Sequence, residues 1–310
     1  MTSSRRPNFF IVGAPKCGTT ALSEYLREHP SIFMSTPKEP HYFAADFNPY
    51  VRHYVHTLDE YLALFEACKE HHLAAGEASV FYLYSSTALS NIRAFDPDAR
   101  IIAMVRNPID MAYSLHSQYC YNLRETVRDF RRAWELQAVR REGKAIPSTS
   151  PVPAYLLYED VCSLGSQVER LLQLFRREQV KIVVFDDFAE RTKAAYEDVL
   201  AFLGVPSDGR ERFPRLNPNT QLSSRWIKWL ELQVTNLARF RPLNNIVLAT
   251  KRTLGLKRKR IFGISPERYT RYVERPPLDP AFRAELANTF RPEIDRLSRA
   301  LDRDLSHWLE

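Results

Sequence analysis

Mostly apolar runs alternate with helix-like segments along the first two thirds of the chain. The apolar runs lie at 9–12, 73–75, 100–105 and 180–185. Segments with apolar residues at helical spacing lie at 19–29, 85–95, 163–177 and 189–203. Runs with little polar alternation are typical of strands buried on both faces of a parallel sheet. The alternation predicts an α/β fold, a three-layer sandwich in which helices flank a central parallel sheet.

The last third of the chain has a different character. Residues 223–240 have the pattern of an amphipathic helix, and 251–260 hold six basic residues in ten. Residues 279–309 predict a closing helix or helix pair, with Pro292 as a candidate break. We predict a single domain over 1–310 with a helical C-terminal elaboration, in which 223–278 form a helical and basic region beside the substrate.

Composition and charge narrow the class of protein. The 310 residues are 45% hydrophobic and 12% aromatic, which excludes a disordered chain. The formal net charge of +7 favours an anionic partner without identifying it. The N-terminus lacks a signal-peptide core, and no apolar stretch reaches the ~18 residues of a membrane span. We therefore expect a soluble, cytoplasmic protein.

The cysteines and histidines carry no metal-site pattern. Four cysteines stand far apart, at Cys17, Cys68, Cys120 and Cys162. None of the spacings matches a zinc site or a redox pair. We expect four reduced thiols and no metal.

The loop Gly13-Ala14-Pro15-Lys16-Cys17-Gly18-Thr19-Thr20 follows a buried strand and opens a helix. This context directs backbone N–H groups and the positive end of a helix into one concavity, which favours phosphate binding. The loop departs from the ordinary P-loop G-x-x-x-x-G-K-[ST], because Thr19 stands at the lysine position and the lysine lies inside the loop as Lys16. Cys17 is either a small loop residue or, beside a helix N-terminus, an activated thiol.

A cation follows the second long strand. The run RIIAMV is followed by Arg106, and Asn107-Pro108 opens the next helix. A metal-dependent kinase would be expected to place an Asp at such a strand end. Ser114 lies about two helical turns further on, so Arg106 and Ser114 can reach one phosphate. Asp110 is interpreted as a first-turn helix acid.

Three motifs together resemble the PAPS-dependent sulfotransferases, above all the heparan-sulfate-type enzymes and their bacterial relatives. These motifs are GAPKCGTTAL, RIIAMVRNPIDMAYS and PKEPHYF. The resemblance implies a P-loop-like fold and 3′-phosphoadenosine 5′-phosphosulfate (PAPS) as sulfate donor, with no metal required. It implies that the 5′-phosphosulfate is held by the first loop and the 3′-phosphate by Arg106 and Ser114. The loop residues concerned are Lys16, Cys17, Gly18, Thr19 and Thr20.

The resemblance also implies in-line transfer of a sulfuryl group to a hydroxyl acceptor, which we expect to be a carbohydrate or glycolipid. Transfer needs a base for the acceptor proton and a cation at the leaving phosphate, where Lys16 would lie. Glu39 is the base that the family match implies, and His41 is the alternative because imidazole titrates near neutral pH. A glutamate base would need its pKa raised by burial.

Other positions and functions stay open from the sequence. Glu77 falls at a strand end expected to face the cleft, and Ala78 stands where some members of the family carry a substrate-side lysine. The 3′-phosphate site would be closed by 257–263 or by the segment around Arg275. Residues 223–260 form either a lid over the nucleotide or a peripheral membrane contact. The alternative functions are a P-loop small-molecule kinase and a polyanion- or membrane-binding protein; nucleic acid is not an expected partner.

Overall fold

The structure of the chain is a computed structural model, which describes residues 6–47, 50–51, 55–214, 220–222, 270–272 and 275–310. The predicted helix at 223–240 and the basic segments at 251–260 and 257–263 lie outside these residues. The predicted lid or membrane-contact role of 223–260 is therefore not addressed by the structure.

A parallel sheet of five strands forms the centre of the described residues, in the order β2-β3-β1-β4-β5. Its strands are β1 (Phe9–Gly13), β2 (Ile32–Met34), β3 (Ala74–Ala78), β4 (Arg100–Val105) and β5 (Val180–Val184). Every residue of β1 is buried, as expected for the central strand of such a sheet. The predicted α/β class, with a central parallel sheet and flanking helices, is confirmed.

Helices connect these strands and cover the sheet. The first half of the chain contributes α1 (Thr19–Arg27), α2 (Leu58–Ala63), α3 (Ala88–Phe95), α4 (Pro108–Tyr121), α5 (Phe130–Glu135) and α6 (Gln137–Arg141). The second half contributes α7 (Tyr158–Cys162), α8 (Leu164–Leu174), α9 (Phe185–Glu190), α10 (Thr192–Leu203) and α11 (Pro280–Leu301). Short 3-10 turns lie at Pro153–Leu156, Arg177–Gln179 and Ser306–Leu309. Two further strands, β6 (Thr220–Leu222) and β7 (Thr270–Tyr272), pair antiparallel.

The structure corrects two helix predictions. The single helix expected at 189–203 is interrupted at Arg191, whose backbone is not helical, so that α9 and α10 are separate. The break expected at Pro292 is wrong, since α11 continues through it. The backbone of α11 lies against α8 so closely that a Cβ on Gly165 would stand 2.2 Å from the carbonyl oxygen of Glu293. Buried apolar side chains hold this contact and keep the helix intact despite the missing N–H donor.

The strand order places the candidate site. The chain leaves β1 toward β2 and β3 on one side and returns to β4 and β5 on the other. In parallel α/β sheets, ligands bind at the carboxyl ends of the strands where the winding direction changes. The loops after β1, β3 and β4 meet at this edge.

Candidate active site

The loop between β1 and α1 is held in a conformation that needs its glycines. Gly13 has φ of 152°, and a Cβ there would approach the carbonyl oxygen of Val80 to 2.8 Å. The amide of Ala14 donates to the carbonyl of Met104 on β4 at 2.7 Å. Gly18 caps α1 in the left-handed region, and Lys16 adopts φ of 65°, which is unusual for a residue with a side chain. The backbone thus places Lys16 at the edge of the sheet by local constraint.

Three cations converge beside this loop. Burial, together with the positive charges of Arg275 and Arg106, lowers the pKa of the Lys16 ammonium from 10.5 to about 8. Burial and the charge of Arg106 likewise lower the pKa of Arg275. Within the described part of the chain none of these cations forms a salt bridge with a carboxylate. A cluster of positive charges without a carboxylate in a salt bridge favours the binding of an anion.

Arg106 is fixed by two contacts. Its guanidinium lies 4.6 Å from the centre of the Phe185 ring, and its Nη1 donates to the carbonyl of Lys16 at 3.3 Å. The aromatic face and the carbonyl hold the planar group without neutralising its charge. Arg106 therefore keeps donors for an anionic ligand.

Helix α4 connects Arg106 with Ser114 and with Arg275. Ser114 lies on α4 and is buried. The guanidinium of Arg275 lies 5.4 Å from the ring centre of Tyr113, whose hydroxyl donates to the carbonyl of Pro276 at 3.1 Å. The Nε atom of Arg275 is buried and has no hydrogen-bond partner among the described residues. A buried, unpaired donor beside Arg106 fits a phosphate oxygen as its missing partner.

The start of α4 is fastened to the C-terminus. The Asn107 side chain accepts from the amide of Ile109 and donates to the carbonyl of Trp308 at 2.8 Å. Asp110, expected to be only a first-turn helix acid, also pairs with Arg283 at 3.2 Å. The closing segment of the chain therefore supports the residues that follow β4.

The idea of an activated thiol at Cys17 is wrong. Burial raises the pKa of Cys17 to about 12, and this outweighs the nearby positive charges. Its Sγ contacts the carbonyl of Pro15 and the sulfur of Met111. The side chain is completely buried. The four cysteines are all free thiols.

The loop after β2 brings Glu39 and His41 to the same edge. Glu39 Oε1 accepts from Lys38 Nζ at 2.7 Å, and Glu39 Oε2 lies 3.5 Å from Nε2 of His41. Glu39 is 38% exposed whereas His41 is 2% exposed. Both residues have positive φ, 63° and 53°. The charge of Glu39 also acts on the ammonium of Lys16, so the base candidate lies within electrostatic range of the loop lysine.

The pKa of Glu39 differs from the value expected for an efficient glutamate base. Desolvation would raise its pKa, but the hydrogen bond from His41 and the charge of Lys38 outweigh it, so the pKa lies well below the ordinary range. The condition stated for an efficient glutamate base, a pKa raised by burial, is therefore not met by Glu39 in this structure. Burial lowers the pKa of His41, which favours a neutral imidazole.

Glu77 does not face the cleft, contrary to the expectation from its strand-end position. Its side chain is completely buried and accepts hydrogen bonds from the hydroxyls of Ser79, Tyr82 and Tyr61. Burial raises its pKa to about 7. Ala78 is also buried and offers no cation to a substrate.

The described residues contain neither a candidate metal-binding cluster nor a candidate membrane-spanning helix. Among the residues that the structure describes, no group of three or more His, Cys, Asp and Glu side chains is placed to hold a metal ion. No helix within the described ranges has the length and apolarity needed to cross a membrane.

The edge of the sheet therefore holds a candidate anion-binding loop, a second cluster of cations and a carboxylate base candidate. A family model described as sulfotransferase domain matches residues 6–225. The chain belongs to the sulfotransferase family.

Individual relatives agree with this family. A sulfotransferase from Alicyclobacillus acidocaldarius has a solved structure that is 28% identical and aligns with a TM-score of 0.72, covering 99% of this chain and 100% of that chain. Carbohydrate sulfotransferase 15 of Mus musculus is 25% identical over 64% of this chain and 44% of the relative. Heparan sulfate glucosamine 3-O-sulfotransferase 6 of Homo sapiens is 34% identical over 37% of this chain and 31% of the relative. The matched part of the chain thus spans less than half the length of these two curated relatives.

Proposed function

We propose that this sulfotransferase moves the sulfuryl group of PAPS to a hydroxyl of a carbohydrate or glycolipid by in-line transfer, with Glu39 as the base. One observation carries the donor assignment: Lys16, Arg106 and Arg275 converge without a carboxylate partner in the described part of the chain. The family membership decides against the kinase and the purely polyanion-binding alternatives.

The donor carries two anionic ends, and the site offers two sets of partners. The loop with Lys16, Gly18, Thr19 and Thr20 would hold the 5′-phosphosulfate through backbone N–H groups and the start of α1. Arg106 and Ser114 would hold the 3′-phosphate. The location of Arg275 beside Tyr113 favours its segment as the one that closes this phosphate site.

Lys16 would stabilise the charge that develops on the leaving phosphate. At neutral pH the ammonium is mostly protonated, because its pKa is about 8. A lysine whose pKa is lowered in this way also donates a proton more readily than an ordinary lysine. Both properties favour expulsion of the phosphate as the acceptor oxygen attacks the sulfur.

Glu39 would accept the proton of the acceptor hydroxyl. Its partial exposure leaves the carboxylate within reach of an acceptor, whereas the burial of His41 withholds the imidazole. Neutral His41 and Lys38 would hold the carboxylate in place. Its low pKa in the free protein makes Glu39 a weak base, and an anionic sulfate bound nearby would raise that pKa. Binding of the donor would thereby prepare the base.

The acceptor class is supported by relatives rather than by a contact. Carbohydrate and heparan sulfate glucosamine sulfotransferases are similar to 64% and 37% of this chain, respectively. A soluble protein and a peripheral membrane enzyme are both compatible with this proposal, since some acceptors of this class are lipid-linked.

Calorimetry with adenosine 3′,5′-bisphosphate, in the absence of Mg²⁺, tests the donor assignment. The wild-type protein should bind it more tightly than adenosine 5′-monophosphate. Arg106→Ala should lose about 10- to 100-fold in affinity for the bisphosphate, as expected for hydrogen bonds to a charged group. Arg93→Ala, an exposed arginine on α3, is the control and should bind normally. Equal affinity for both nucleotides would refute the 3′-phosphate assignment.

A further inference from the structure

The loop that carries the base is hydrogen-bonded to two hydroxyl groups. The amide of His41 donates to Ser79 Oγ at 3.1 Å, and the amide of Phe43 donates to the Tyr82 hydroxyl at 3.3 Å. These hydroxyls are buried. These two amides are therefore satisfied by side chains, whereas the amide of Glu39 donates to the carbonyl of Ala78 on β3 at 3.0 Å.

Both hydroxyls donate a hydrogen bond to the same carboxylate. Ser79 Oγ donates to Glu77 Oε2 at 2.6 Å, and the Tyr82 hydroxyl donates to Glu77 Oε1 at 2.7 Å. A hydroxyl whose proton is committed in this way turns its lone pairs toward other donors. Glu77 thus orients two acceptors toward the loop at once.

Burial of a carboxylate costs free energy. For Glu77, no salt bridge within the described ranges offsets this cost. An apolar residue would suit strand β3 better if packing were the only requirement. The loop at 39–43 requires support from its surroundings, because Glu39 and His41 both occupy the left-handed region of backbone conformation. Residues with side chains keep such a conformation only where the surroundings fix it.

We propose that Glu77 is a positioning residue for the transfer. It fixes the loop at 39–43 through two relays, in which the hydroxyls of Ser79 and Tyr82 each accept a hydrogen bond from a loop amide and donate one to Glu77. The part of this inference that concerns sulfuryl transfer rests on the proposed function. The attachment of the loop to Glu77 rests on the hydrogen bonds alone. Glu77 does not touch the reacting groups; it acts through the loop that carries Glu39.

Tyr61 supplies a matched control. Its hydroxyl also donates to Glu77 Oε1, at 3.3 Å, and is likewise buried. Among the described hydrogen bonds, however, no loop amide donates to Tyr61. Tyr61→Phe removes a hydrogen bond to the same carboxylate without cutting a relay, so it reports the purely structural contribution.

The experiment compares Ser79→Ala, Tyr82→Phe, Glu77→Gln and Tyr61→Phe in two measurements. The first is amide hydrogen exchange of the peptide that contains 39–43. The second is transfer of labelled sulfuryl from PAPS to glycan oligosaccharides, with kcat and the KM for PAPS determined separately. The three relay variants should exchange faster in this peptide and lose about 10- to 100-fold in kcat, with the KM for PAPS within about twofold of wild type. Tyr61→Phe should stay within about twofold of wild type in both measurements.

Two results would overturn the proposal. Unchanged exchange at 39–43 in Ser79→Ala and Tyr82→Phe would show that the relays do not fix the loop. Faster exchange with a kcat equal to that of Tyr61→Phe would show that fixing the loop is irrelevant to transfer. If Glu77→Gln fails to fold, the two hydroxyl variants decide the question. If wild type transfers no sulfuryl group, the proposed function fails, and the exchange data alone still decide whether Glu77 fixes the loop.

Discussion

We expect the protonation state of Lys16 to set an upper pH limit on donor binding. The difference between its ordinary pKa of 10.5 and its value of about 8 corresponds to about 3 kcal/mol, contributed by burial and by the neighbouring arginines. An anionic ligand compensates these effects and returns the pKa upward. Binding of adenosine 3′,5′-bisphosphate should then take up a proton above about pH 8, so that affinity falls as the pH rises.

The expected size of the change in Kd with pH follows from the pKa values of Lys16 in the free protein and in the complex. With Lys16 at about 8 in the free protein and near 10.5 in the complex, the Kd should rise about 20-fold between about pH 7.5 and about pH 9.5. Calorimetry in buffers of different ionisation enthalpy measures both the affinity and the proton uptake.

Lys16→Arg is the control, because its guanidinium stays charged throughout this range. The variant should bind the bisphosphate with a nearly constant Kd while losing transfer activity, since a guanidinium is a poor proton donor. A flat Kd for wild type, or the same pH dependence in Lys16→Arg, would refute the role assigned to Lys16.

Three further predictions follow from the surroundings of the site. Gly76→Ala places a methyl group 2.5 Å from the Phe9 ring and should lower the free energy of unfolding by about 1–3 kcal/mol in urea denaturation; unchanged stability would contradict the tight packing of β1 on β3. Arg140→Met leaves the buried Glu125 carboxylate, now at 2.8 Å, without its cation, and should cost about 3–5 kcal/mol in the same assay, against almost nothing for the exposed Lys144→Met. Asn107→Ala should weaken binding of adenosine 3′,5′-bisphosphate several-fold by releasing the start of α4 from the C-terminus; equal affinity would show that this attachment does not position Arg106.

The elements predicted best are those with local causes. The apolar run at 9–12 and the run RIIAMV became β1 and β4, because a strand buried on both faces has no need of polar residues. Asn107-Pro108 opened α4 as predicted, since the asparagine caps the helix and the proline fits its first turn. The short strand β2 was missed because three residues carry too little periodicity to be recognised.

The parts that the sequence did not predict depend on side-chain contacts that form only in the folded protein. The pKa of Glu39 falls rather than rises because Lys38 and His41 surround its carboxylate, and no spacing rule reveals that arrangement. Glu77 points inward because its carboxylate accepts hydrogen bonds from Ser79 and Tyr82, which follow it closely in the chain, and from Tyr61 on α2. The place of Phe185 beneath Arg106 was likewise hidden, although an aromatic residue at the end of β5 is the one signal that could have suggested it.

The motifs predicted the location of the site more completely than its chemistry. Lys16, Arg106 and Glu39 belong to loops after different strands, and a parallel sheet brings such loops to one edge. Which anion they bind, and which group accepts the proton, depends on the balance of burial and charge around each side chain.

The central claim is tested most directly by transfer of labelled sulfuryl from PAPS to glycan oligosaccharides, with products identified by mass. Wild type should produce a glycan that has gained one SO₃ group, and Glu70→Gln, an exposed glutamate, should do the same. Glu39→Gln should bind adenosine 3′,5′-bisphosphate normally but should form product at least about 100-fold more slowly than wild type. Transfer by Glu39→Gln at the wild-type rate would contradict the account.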